Sequence, residues 1–103
     1  MIPTPLKSTK SKSHTSPLIL IFSTRDNIRE ILTVGLLQYN YRITQANNSN
    51  VASLKANQFV PDLVIADITP KNAKDILMVN RLHHSERTRN TPLLAVVPRT
   101  IKE

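Results

Sequence analysis

An aspartate that closes a run of aliphatic residues is the group in this chain best placed to do chemistry. Pro61-Asp62-Leu63-Val64-Ile65-Ala66-Asp67-Ile68 reads as a short buried strand with a carboxylate at its carboxyl end, followed at once by the loop signal Thr69-Pro70. Ligands of open α/β sheets sit beyond the carboxyl ends of parallel strands. Asp67 is therefore read as a phosphoacceptor or a ligand-binding carboxylate, against the plainer role of capping the next turn. Ser23 and Thr24 end another aliphatic run, Leu18 to Phe22, just before a helix. Hydroxyls there suit an anion, because helix N-termini offer unpaired N–H groups.

Other chemistries are excluded or weakened by residue type and spacing. The single glycine, Gly35, lies within a helical pattern, which rules out a P-loop and a dinucleotide fingerprint. Cysteine is absent, so disulfides, thiol nucleophiles and Cys-based metal sites are excluded, in keeping with a reducing compartment such as the cytoplasm. His83 and His84 are adjacent, so on a helix they project about 100° apart. Helical pairs that grip one metal are four residues apart, and these two read as surface histidines. Arg81, Arg87 and Arg89 gather near the end of the third helix, where cations favour the negative end of its dipole. They read as a solvated face in preference to a nucleic-acid groove. No nucleophile, base and orienting group appear together, so no enzyme activity is expected.

The elements that would position Asp67 follow from hydrophobic periodicity. Leu18-Ile19-Leu20-Ile21-Phe22 is a continuous apolar run, as in a strand covered on both faces. After Ser23 to Asp26, Asn27 and Glu30 form a capping-box pattern, and Ile28, Ile31, Leu32 and Leu36 carry a helix to about Gln38. Gly35 within it either costs about 1 kcal/mol relative to alanine or permits close approach to the sheet. Tyr41 to Ala46 alternates as a more exposed strand. Asn47 to Asn50 is turn chemistry, and Val51 to Gln58 a short helix with Val51, Leu54 and Phe59 near one face. Leu63 to Ala66 is a third strand. Ile76 to His84 is a helix expected to bury Ile76, Leu77, Val79 and Leu82. Leu93 to Val97 is a fourth buried strand, closed by Pro98. The order βαβαβαβ implies a parallel sheet with helices on both faces.

The chain of 103 residues carries a net charge of +7 and only four aromatic residues. One domain with an aliphatic core is expected. Residues 1–17 are rich in Pro, Ser, Thr and Lys, contain no acid, and read as a disordered basic tail. The same composition suits an organelle transit peptide, with the plastid stroma as destination, although arginine and an amphipathic face are missing. Residues 18–103 form the folded unit, and their remaining +4 bears on solubility more than on a specific partner. No apolar run approaches the ~18 residues of a membrane span.

From Leu18 to about Arg99 the chain resembles the receiver domain of bacterial-type response regulators, the phosphoacceptor module of two-component signalling. The resemblance rests on Leu18 to Phe22 with Ile28-Arg29-Glu30-Ile31-Leu32, on Pro61 to Ile68, and on Glu86-Arg87-Thr88-Arg89-Asn90-Thr91-Pro92-Leu93-Leu94. It implies a flavodoxin-like (CheY-like) fold truncated after the fourth strand, with Asp67 in the place of the residue that accepts phosphate from a histidine kinase. The departures are specific. Where the family has an acidic pair for Mg²⁺, this chain has Ser23 and Thr24. Where it has a hydroxyl residue for switching, this chain has Val97. Where it has a glycine after the phosphorylation strand, this chain has Asp75.

Mg²⁺ is held by carboxylates, phosphate and water, so one acid and two hydroxyls make a weak site, and no cofactor is expected. Arg25 is the side chain able to replace part of the metal's charge. The expectation is a degenerate receiver with weak or absent phosphorylation that works through a histidine kinase or another signalling protein. An incomplete sheet would leave an open strand edge, suited to docking or to a homodimer. The rival reading is a small basic nucleic-acid-binding protein whose affinity falls steeply with salt.

Overall fold

A computed structural model describes residues 16–97. The tail expected over residues 1–17 lies outside the described residues except for Ser16 and Pro17. Those two already join the domain: the Ser16 carbonyl accepts from Arg42 Nε at 2.8 Å, and the Pro17 carbonyl from the Arg42 amide at 2.9 Å.

Four strands alternate with three helices: β1 (Leu18–Phe22), α1 (Asp26–Leu37), β2 (Arg42–Ala46), α2 (Ser49–Phe59), β3 (Leu63–Asp67), α3 (Ala73–His84) and β4 (Leu93–Val96). All strand pairs are parallel, in the order β2-β1-β3-β4. Side chains alternate across a strand, and this divides the core in two. Ile19 and Ile21 of β1 and Ile65 of β3 meet Leu32 and Leu36 of α1 on one face. Leu20, Phe22, Val64 and Ala66 meet Ala52 and Ala56 of α2 and Met78 and Leu82 of α3 on the other. Central strands buried on both faces need apolar residues along their length, and β1 supplies them throughout while β3 does so up to Ala66, before the terminal Asp67.

The helix starts differ from the capping pattern read in the sequence. α1 begins at Asp26 with Arg25 as its N-cap, and no side chain caps it, so the Asn27 and Glu30 box does not form. Asp26 instead enters the first turn, where a carboxylate favours the helix dipole. α2 is capped by Asn48, whose side chain accepts from the Val51 amide at 2.8 Å. α3 starts at Ala73 because the Asn72 side chain accepts from the amides of Lys74 and Asp75.

The helix faces also turn out differently. α3 buries Asp75, Met78 and Leu82, while Ile76 and Leu77 are exposed, at 42% and 48%. Starting three residues earlier does not rotate the helix. The facing stripe is the i, i+3, i+7 set 75, 78 and 82, and its polar and sulfur-containing members broke the apolar pattern. Leu54 and Phe59 of α2 are exposed while the small residues Ala52 and Ala56 are buried, so α2 lies close against the sheet and α3. Ile31 of α1 likewise faces outward.

β4 is not buried on both faces as expected. Leu94 is 55% exposed and Ala95 is also exposed, because β4 is the outer strand among the described residues and pairs with β3 alone.

Candidate functional site

β1 and β3 are neighbours with Phe22 opposite Ala66, so Ser23 and Asp67 emerge side by side at the carboxyl edge of the sheet. Both are buried. The Ser23 hydroxyl donates to Asp67 Oδ2 at 2.7 Å and accepts from the Arg25 amide at 3.0 Å. This local turn leaves Arg25 in extended backbone geometry just ahead of α1. The Arg25 guanidinium then folds back over the strand end. Its Nε donates to Asp67 Oδ2 at 3.0 Å and its Nη2 to Oδ1 at 2.9 Å.

The result is a two-pronged arginine–carboxylate pair, the strong and directional kind of charge-assisted contact. Its two halves sit in different surroundings: the Asp67 side chain is 4% exposed and that of Arg25 is 50% exposed. Water is shut out from the carboxylate, and the guanidinium supplies what water would have supplied. Arg29, on the first turns of α1, steadies the base of this arrangement by donating from Nη1 to the Ser23 carbonyl at 2.7 Å while pairing with Asp26.

Of the residues named from the sequence, Asp67, Ser23 and Arg25 come together. Thr24 does not: it is exposed and makes no side-chain hydrogen bond to Asp67. Val97 follows β4, whose Val96 pairs with Asp67, and its aliphatic side chain is 52% exposed. It offers no donor or acceptor to the carboxylate. Asp75, read as the counterpart of a loop glycine, lies instead in the first turn of α3, buried, where its Oδ2 accepts from the Thr69 amide at 2.9 Å. It thereby fixes the loop that follows Asp67. His83 and His84 are exposed, with rings at 87° to one another. Arg29 was not singled out from the sequence; its place one turn beyond Arg25 was the available signal.

The donor set at this edge is poor for a hard divalent cation. It has one carboxylate, and a guanidinium already occupies both of its oxygens. Among the described residues no three His, Asp or Glu side chains gather into a metal-binding group. None of their helices is long and apolar enough to cross a membrane.

No family model matches the sequence, and no curated protein matches it. Solved structures do. The N-terminal domain of a response regulator receiver protein from Methanoculleus marisnigri JR1 superposes with a TM-score of 0.74 at 22% identity, over 84% of this chain and 70% of that one. The chemotaxis protein CheY4 of Vibrio cholerae gives 0.74 at 20% identity, over 84% and 72%. A response regulator receiver protein from Pseudomonas putida gives 0.71 at 22%, over 84% and 71%. At such identities the likeness is one of fold, and the fold of this chain is that of the CheY-like response regulator receiver domain.

Proposed function

We propose that this protein is a receiver-type module of two-component signalling in which Asp67 holds the phosphoacceptor position but is phosphorylated weakly or not at all. The observation that carries the reading is the Arg25 fork on Asp67. In-line attack on a phosphoryl group needs a free carboxylate oxygen and cations that neutralise the incoming charge. Here Oδ2 takes hydrogen bonds from Ser23 and Arg25, and Oδ1 takes one from Arg25. Arg25 stands where a metal would have to approach, and a divalent cation would be repelled by it. Ser23 and Thr24 in place of acids, and Val97 in place of a hydroxyl residue, weaken the metal site and the switch further.

The module then works through protein–protein contact, with a histidine kinase or another signalling protein as partner, and without enzymatic activity of its own. β4 is half-exposed and is an outer strand among the described residues, which supports a contact role, since strand edges are where chains pair.

The test is incubation with acetyl phosphate and Mg²⁺, read by intact mass. Wild-type protein is expected to show no stable adduct of about 80 Da, the phosphoryl increment. An adduct that forms readily on wild type and disappears in Asp67→Ala overturns the degenerate reading and leaves a working receiver. In Arg25→Ala, with the fork removed, a trace of Asp67-dependent adduct is expected.

A further inference from the structure

The hydrogen bonds of β4 show which of its backbone groups are unused. The Val64 amide donates to the Pro92 carbonyl at 3.0 Å and the Ile68 amide to the Val96 carbonyl at 2.9 Å, with Leu94 opposite Ile65 between them. Backbone groups alternate in direction along a strand, so residues 92, 94 and 96 bond inward to β3. The N–H and C=O groups of Leu93 and Ala95, and of Val97 just beyond, face outward, where no strand lies among the described residues. The side chains of this edge are apolar on both faces of the sheet. Leu93 packs with the core beneath α2 and α3, Val96 with the core beneath α1, and Leu94 and Val97 are exposed.

A strand edge that faces water is ordinarily guarded by a charge or a proline within it. Leu93 to Val97 contains neither, and Pro92 and Pro98 stand just outside it, each three residues from Ala95. That symmetry selects a partner. When a second β4 runs antiparallel with Ala95 opposite Ala95, Leu93 falls opposite Val97 at both ends, and the ladder stops before a proline each time. These are the residues whose backbone groups are free, and residues opposed in this way exchange both hydrogen bonds. At the intervening positions the exposed Leu94 meets Val96 of the second copy, an apolar cross-strand pair. A charge within the strand would be brought close to its own copy across the two-fold axis, and the strand has none.

We propose that β4 is a self-complementary edge through which two copies of this chain join antiparallel about a two-fold axis at Ala95, forming one continuous sheet. This rests on β4 being a contact edge, as proposed above, and not on the state of Asp67, so the phosphorylation test and the one below can fail separately. The strand is short beside the roughly 800 Å² that each partner contributes to a standard interface. The dimer is therefore expected to dissociate on dilution.

Sedimentation velocity of the full chain over a range of concentrations is the first measurement, and a reversible monomer–dimer equilibrium is expected. In amide hydrogen exchange the N–H groups of Leu93, Ala95 and Val97 should slow as concentration rises. Ala95→Lys and Ala95→Glu alter an exposed residue. Each variant alone should stay monomeric and melt as dilute wild type does, because like charges meet at the axis. Mixed in equal amounts the two should dimerise, since position 95 faces its own copy only in this register. A wild type that is monomeric at every concentration, a dimer that survives in both variants, or a mixture that stays monomeric overturns the proposal. Edge amides already protected in the dilute monomer also overturn it, because other residues of the chain would then cover β4. The exchange profile of the wild type decides the matter even where a variant fails to fold.

Discussion

Arg25 and Asp67, 42 residues apart in the chain, meet in a two-pronged contact in which one partner is sealed from water and the other is half in it. That asymmetry sets the cost of breaking the pair from either side. Removing Arg25 strands a buried carboxylate with Ser23 as its remaining donor. Removing the charge of Asp67 leaves a guanidinium that can turn to solvent. Arg25→Met is accordingly expected to destabilise the fold by about 1 to 3 kcal/mol, below the full penalty for a buried pair because Arg25 is half-exposed. Asp67→Asn should cost less. Urea unfolding of both variants checks the order, and an equal or reversed cost would show that Arg25 does little for the buried carboxylate.

The caps separate what forms from what the sequence pattern suggests. Asn48→Ala removes the side chain that accepts from the Val51 amide, and a loss of about 1 kcal/mol is expected. Asn27→Ala removes an exposed side chain that caps nothing, and its effect should stay within about 0.5 kcal/mol. Thermal melts of the two single variants are sufficient to distinguish them.

The inward face of α3 can be tested in the same way. Met78→Ala opens a hole beneath the helix, at a cost of about 2 to 5 kcal/mol. Ile76→Ala trims a side chain that is largely in water, and it should cost well under half as much. Comparable losses would mean that α3 packs by the stripe its aliphatic residues suggest and not by residues 75, 78 and 82.

Gly35 provides a stabilising change. A Cβ added there meets nothing within 4 Å, so close approach to the sheet does not require glycine. Gly35→Ala is expected to raise stability by about 0.5 to 1 kcal/mol, through helix propensity and a less disordered unfolded chain. A loss of stability in chemical denaturation would indicate a neighbour that the open space around Gly35 does not reveal.

Much of the fold was legible in the sequence because it is written in local periodicity. Leu18 to Phe22 and Leu63 to Ala66 are apolar at every position, which only a doubly covered strand tolerates, and they are the two central strands. The helices were placed correctly but their ends and faces less so. Asn48 and Asn72 cap α2 and α3 as short polar side chains do before helices. The buried stripe of α3 was hidden because it contains Asp75, whose carboxylate is satisfied by the Thr69 amide. A polar residue can face inward wherever a specific partner waits for it, and a hydrophobicity pattern has no record of that partner. The alanines of α2 were overlooked for a related reason: how deeply a small side chain is buried depends on how closely the helix approaches, which is a property of the packed pair.

For the candidate site, the sequence by itself determined that a carboxylate would stand at the end of a buried strand, with hydroxyls in place of acids after the first. It also determined that an arginine lay two residues beyond Ser23. Only the tertiary structure decided that β1 would lie against β3, that the Ser23 hydroxyl would donate to Asp67, that Thr24 would face outward, and that Arg25 would fold over the carboxylate. The reason is geometric. Periodicity along a chain reports which residues leave water, but a contact between residues 42 apart depends on the order of strands in the sheet and on the path of the turn between β1 and α1. Those are settled by the burial of the sheet's two faces together.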